Sequence, residues 1–253
     1  MSQAAHTEIR TAQEIIRDVR VTQSPNGICY ASVGEVKLPS MELENLVNAV
    51  PRVIAASLER KAFYFVPLAM GEGDHIMIAE RYDHSLIDQA TCHRNLDTGD
   101  SQCVFISTWL LDDRFSIALE FYINVGHAFV EKAGVSQDFA DLVWKQATGN
   151  VHGETSIDAW EFRKQALDEA SGRVDEKERS NYITAAFADA VAIYLLSLSL
   201  DVDYYDLRER ECPLLAPAAL AERLRKIAEL FPPGPGFQFS IIYRRRGKMT
   251  SKQ

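Results

Sequence analysis

Near residue 111 the hydrophobic pattern of this chain changes period, and that change limits the folds open to it. Before it, short apolar runs alternate with turn residues, at 28–38, 62–68 (AFYFVPL), 75–79 (HIMIA) and 102–109. Their length and their β-branched and aromatic content fit strands, with Gly71-Glu72-Gly73-Asp74 marking a hairpin between 62–68 and 75–79. After it, apolar residues recur at helical spacing over 112–132, 137–147, 157–170, 176–200 and 217–230, separated by Gly134, Gly149, Gly153 and Gly172. Strands early and helices late predict an α+β fold, in which helices gather on one side of a small mixed sheet. A single domain spanning 1–253 is expected: strand-rich to about 110, helical over 111–231, then Pro232-Pro233-Gly234-Pro235-Gly236, a strand over 237–244 returning to the sheet, and a basic tail.

Within the first half, residues 7–20 place Ile9, Ala12, Ile15, Ile16 and Val19 at the spacing of an amphipathic surface helix. Ser24-Pro25-Asn26-Gly27 is a turn. A helix is expected over 41–60, with Ser40 as N-cap and a break at Pro51, because proline has no N–H for the helical ladder. The charged run 168–179 reads as a loop leading to a capped helix start.

A net charge of −9 opposes broad attraction to nucleic acid, which needs clustered Lys and Arg; the exception, Arg244-Arg245-Arg246-Gly247-Lys248, reads as a solvated tail. No uninterrupted apolar run reaches the roughly 18 residues of a membrane span, since 185–200 contains Asp189, and residues 1–20 lack the apolar core of a secretory signal. The expectation is a soluble cytoplasmic protein, with no nucleic acid or membrane as partner. Cys29, Cys92, Cys103 and Cys212 form no C-x-x-C pair and are expected reduced, although Cys92 and Cys103 are spaced to bridge a hairpin-like loop in an exported protein.

The helix expected over 112–132 carries the candidate site. At about 100° per residue, Glu120, Asn124, His127 and Glu131 fall on one stripe of a helix that is otherwise nearly all apolar. A polar stripe on such a helix must find partners, because an unpaired buried polar group costs about 1–3 kcal/mol. The segment LEFYINVGHAFVEK, 119–132, resembles the active helix of zincin metallopeptidases, especially the anthrax lethal factor catalytic-domain branch, whose helix reads H-E-x-G-H-A. NYITAAFADAVAIYL, 181–195, resembles the second helix of that branch, with its E-x-F-A-E-A-F pattern. The resemblance implies a zincin-like fold that has lost its chemistry: Ile123 stands where the first ligand would be, Asn124 at the general base and Ala185 at the third ligand, so that His127 alone remains. One imidazole does not hold a catalytic zinc, and an amide accepts no proton from a metal-bound water.

The expected function is therefore non-catalytic and regulatory: a cleft with Glu120, Asn124, His127 and Asp189 that holds a peptide or small ligand, with no cofactor. One alternative is a metal-dependent hydrolase with a rearranged site, in which Glu120, His127 and Glu131, helped by Asp189 or His152, hold zinc or another divalent transition metal. Another is a scaffold or homo-oligomer packing through 185–200 at the small residues Ala186, Ala190 and Ser197. Other constellations read as structural. His75, His84 and His93 match no ligand spacing, His152-Gly153-Glu154 fits a turn before a helix, and Phe63, Tyr64, Phe65, Trp109, Phe121 and Tyr122 fit a core. Gly71-Glu72-Gly73 lacks the features of a phosphate loop, and no G-x-S-x-G nucleophile motif occurs.

Overall fold

Strand pairing in the first half follows from where the backbone can donate hydrogen bonds. In the computed structural model, which describes residues 8–73, 75–111, 113–167, 174–207 and 212–242, a strand β1 (Ile9–Thr11) leads into helix α1 (Ala12–Asp18). The helix expected from residue 7 starts at 12, because Ile9–Thr11 pairs with a strand further on. Thr11 and Glu14 form a capping box in which the Thr11 hydroxyl accepts from the Glu14 N–H and the Glu14 carboxylate accepts from the Thr11 N–H. Thr11→Ala is expected to lower the unfolding free energy by about 1 kcal/mol. An unchanged urea midpoint would instead assign the helix start to the packing of Ala12 and Ile15 alone.

Strands β2 (Thr22–Gln23) and β3 (Cys29–Ser32) flank the turn at Ser24, where the Gly27 N–H donates to the Ser24 carbonyl. Helices α2 (Ser40–Asn48) and α3 (Arg52–Ala55), the latter continued by a 3-10 turn Ala56–Leu58, divide at Pro51 as expected. Ser40 is not the cap: Pro39 takes that position without a side-chain bond, and Ser40 is the first helical residue.

The hairpin expected between 62–68 and 75–79 is narrower than predicted. Pro67 separates β4 (Lys61–Val66) from β5 (Leu68–Met70), and the two strands join different sheets. Proline cannot donate to a ladder; its carbonyl instead accepts from the Trp109 N–H at 3.2 Å, where the chain steps between sheets. β5 then pairs antiparallel with β6 (Met77–Ala79). Gly71 permits the return, since its φ is +83° and a Cβ would lie 2.2 Å from the His75 carbonyl oxygen. Asp74 lies outside the described residues.

With β7 (Ala90–Thr91), β8 (His93–Asp97) and β9 (Gln102–Ser107), the strands form two sheets where one was expected. The four-stranded sheet, β1-β6-β5-β7, is antiparallel. The five-stranded sheet, β2-β3-β4-β9-β8, is mixed, with parallel β3, β4 and β9 and antiparallel β2 and β8 at its ends. Alternation along its central strands sorts the core: Phe63, Phe65, Val104 and Ile106 face the helices, whereas Tyr64, Val66, Cys103 and Phe105 pack with Ala12 and Ile15 of α1.

The helical half follows as α4 (Thr108–Leu111), α5 (Arg114–Ala133), α6 (Gln137–Thr148), α7 (Ile157–Ala166), α8 (Glu176–Ser199) and α9 (Pro217–Leu230). Asp113, Ser136, Ser156 and Asp175 cap α5 to α8 through their side chains, which agrees with the capped start expected before 176. Asp112 and residues 168–173, with Gly172 among them, lie outside the described residues. α8 is the central helix, and of the small residues expected at an oligomer contact Ala186 and Ala190 are fully buried within the chain while Ser197 is half-buried. By length and composition α8 could cross a membrane, yet 72% of its apolar window is buried inside the fold. At the crossing with α5, a Cβ on Gly126 would sit 2.5 Å from the Ala188 carbonyl oxygen.

One further expectation is corrected. Residues 237–242 form no strand and do not return to a sheet; Phe237, Phe239 and Ile241 dock alternately on the helical core, with the Phe239 ring 5.3 Å from that of Tyr194. A period of two records an extended backbone, and here side-chain burial satisfies it without a ladder. The basic tail, 244–248, lies outside the described residues. Glu154 lies in the non-helical segment before α7, as expected, and there it is fully buried and accepts from Arg223 at 2.8 Å, Arg163 at 3.1 Å and the Tyr182 hydroxyl at 2.6 Å. Gln146 accepts from Arg223 Nε at 2.8 Å, closing a polar knot among α6, α7, α8 and α9.

Candidate ligand-binding site

β8 is a terminal strand, and the phase of its ladder determines what its open edge presents. The Thr98 N–H donates to the Ser101 carbonyl and the Ser107 N–H to the Cys92 carbonyl, both at 2.9 Å, on either side of the register His93↔Ile106, Asn95↔Val104 and Asp97↔Gln102. Bonded and non-bonded pairs alternate in an antiparallel ladder. Arg94 and Leu96 therefore exchange bonds with β9, and the N–H and C=O groups of His93, Asn95 and Asp97 turn to the open edge. The His93 carbonyl accepts from the Thr91 hydroxyl at 3.0 Å.

The His93 and Asn95 side chains share the sheet face of Ile106 and Val104, the face toward the helices. There His93 Nδ1 lies 2.5 Å from Oε1 of Glu120 on α5, and the two side chains are 37% and 15% exposed. Asn124 Nδ2 donates to the Glu120 carbonyl at 2.9 Å and to Oε1 at 3.3 Å. Asn124 thus orients a carboxylate, and that carboxylate orients an imidazole whose other nitrogen, Nε2, takes no hydrogen bond from the described residues. Cys92 precedes His93, and its thiol is pushed above its ordinary pKa by loss of surrounding water and by the charge of Glu120. It therefore stays a thiol at neutral pH and lacks the thiolate of a nucleophile.

The four expected cleft residues do not all meet. Glu120 and Asn124 come together beside β8, while His127 and Glu131 continue the stripe as exposed residues. Asp189 accepts from the Thr155 hydroxyl at 2.7 Å and the Ser156 hydroxyl at 2.6 Å, which holds the start of α7. Glu120, His127 and Glu131 are not assembled as a ligand set: among the described residues no group of three His, Cys, Asp or Glu side chains could hold a metal. Cys92 and Cys103 do not face each other, because Cys103 pairs with Leu96 while Cys92 is bonded to Ser107. The aromatic residues Phe63, Tyr64, Phe65, Phe121 and Tyr122 are buried, as expected of a core.

His93 is the site residue that spacing alone did not single out. Its partner lies 27 positions away, and the contact depends on β8 being placed beside α5. Two cavities lie elsewhere, one of about 170 Å³ lined by Ile193, Leu220, Leu224 and Phe239, and one of about 490 Å³ lined by Asp113, Arg114, Leu200 and Asp206. The chain matches no family profile, no curated protein and no solved structure.

Proposed function

We propose that this chain is a zincin-like protein without the metal chemistry, acting in the cytoplasm as a non-catalytic, regulatory binder of an extended peptide along the outer edge of β8. The observation that carries this reading is the outward N–H and C=O row of His93, Asn95 and Asp97 beside the His93–Glu120–Asn124 network. An extended peptide supplies complementary groups at every second residue, a repeat of about 6.7 Å, whereas a compact small molecule does not span that row. The zincin-like reading is supported by the order of elements: α5 follows the sheet strand β9, packs against the sheet and is crossed by α8 at Gly126. It is further supported by the sequence likeness of 119–132 and 181–195 to the two helices of that fold.

Selection of displayed seven-residue peptides on the full chain, followed by amide hydrogen exchange of the complexes, tests the reading. Bound peptides are expected to slow exchange at His93, Asn95 and Asp97. Asn95→Pro removes one outward N–H at a position where an edge strand tolerates proline, and it is expected to weaken binding about tenfold, as is N-methylation of alternate peptide residues. Protection confined to other elements, or binding indifferent to both changes, would sink the proposal.

A further inference from the structure

Beside the edge of β8 the Glu120 carboxylate keeps one oxygen, Oε2, that takes no hydrogen bond from the described residues, and we infer that the peptide bound there carries a Lys or Arg side chain that reaches Glu120. This rests on the peptide-binding reading above and names the ligand chemistry of the same site. Glu120 is the central group: its side chain is only 15% exposed, and its ion-pair partner is His93, whose charge depends on protonation. The hydrogen bonds to it come from His93 at Oε1 and from the Asn124 amide, also at Oε1, which leaves Oε2 for a further donor. With Nδ1 donating to the carboxylate, a neutral His93 offers a lone pair at Nε2, and Asn124, whose amide nitrogen is engaged, offers its Oδ1.

The surrounding charges point the same way. Asp97 lies on the same face of β8 as His93, and Glu131 continues the stripe of α5 beyond the exposed His127. Arg94 belongs to the opposite face of the strand, with Phe105, and Arg60 is held at the hairpin turn by the Gly99 and Asp100 carbonyls. Arg94 therefore stands away from the Glu120 side of the edge strand, and Lys61 of β4, which pairs with Gln102, shares that sheet face two strands in from Asp97. Across the whole chain the balance is −9, so longer-range attraction also favours a cationic segment. In a strand added to β8, side chains opposite His93 or Asn95 point to the α5 face, and a long basic side chain from that register spans to the Glu120 carboxylate. An ammonium or guanidinium there gains charge-assisted bonds that a neutral isostere of the same length lacks.

The test uses a peptide selected on the full chain and shown by hydrogen exchange to protect His93, Asn95 and Asp97. Each residue is replaced in turn by Lys, norleucine and Glu. At one register position Lys is expected to bind at least about tenfold tighter than norleucine, and Glu weaker than both. Glu120→Gln, which keeps the shape and the hydrogen bonds but removes the charge, should shrink the Lys preference to within about twofold. Peptides that protect β8 yet bind equally with Lys, norleucine and Glu would overturn this inference and leave the peptide-binding reading standing. A Lys preference that survives in Glu120→Gln would overturn it in the same way. Failure of every peptide to protect β8 overturns both.

Discussion

Glu154→Ala is expected to lower the unfolding free energy by about 3–5 kcal/mol. The carboxylate accepts from two guanidiniums and a phenol, and Glu154, Arg223 and Tyr182 are each fully buried, with Arg163 7% exposed. Removing it leaves two positive charges among α6, α7, α8 and α9 without their counter-ion. Deprotonation offers no relief. A guanidinium does not lose its proton in a protein, and in the intact chain Glu154 and Tyr182 outweigh the effect of burial and hold the Arg223 pKa above its ordinary value. Burial also raises Tyr182, with Glu154 adding to the effect, so the phenol stays neutral and remains a donor. Urea unfolding measures the loss. A second variant, Glu154→Ala with Arg223→Met, is expected to recover part of it, because it removes one stranded charge and keeps most of the volume. A loss below about 1 kcal/mol in the single variant would show that water reaches the arginines and that the knot is not sealed.

Gly126→Ala is expected to cost about 1–3 kcal/mol, as overpacking does, even though alanine is the better helix former by about 1 kcal/mol. The added methyl would meet the Ala188 carbonyl oxygen at 2.5 Å, and a main-chain oxygen inside a 24-residue helix cannot turn aside as a flexible side chain can. α5 and α8 must then separate along their shared face, where Phe129 and Phe187 pack with ring centroids 6.1 Å apart. Ala188→Gly is expected not to rescue the variant, since the obstructing atom is backbone. A gain in stability would mean that the helices slide freely at the crossing, contrary to the close approach observed.

These two positions show how unevenly the molecule was legible. Gly126 was visible as part of a motif, and the likeness drew attention to the His that follows it; its physical role is the approach of α8, which a one-dimensional pattern does not contain. Glu154 was visible only as a charge in a His-Gly-Glu turn. Its partners Arg163, Tyr182 and Arg223 lie 9, 28 and 69 residues on, and no local periodicity links them. The candidate site divides in the same way. Helical spacing placed Glu120 and Asn124 on one stripe, and they do bond to each other; the third member, His93, comes from a strand that only the packing of sheet on helix brings near.

The amino-acid sequence by itself determined the change from strand period to helix period near residue 111, the extents of α5, α6, α8 and α9 to within a residue or two, and the breaks at Pro51 and after α9. These are local outcomes, governed by side-chain periodicity, caps and the missing N–H of proline within a few residues of one another. The tertiary structure alone decided that Pro67 would divide its run between two sheets, that the alternating 237–242 would dock on helices without a strand partner, that β8 would be left at an open edge, and that Glu120 would meet His93. Each of those depends on which surfaces compete successfully for burial and hydrogen bonds across long separations, and that competition is settled only when the whole chain has packed.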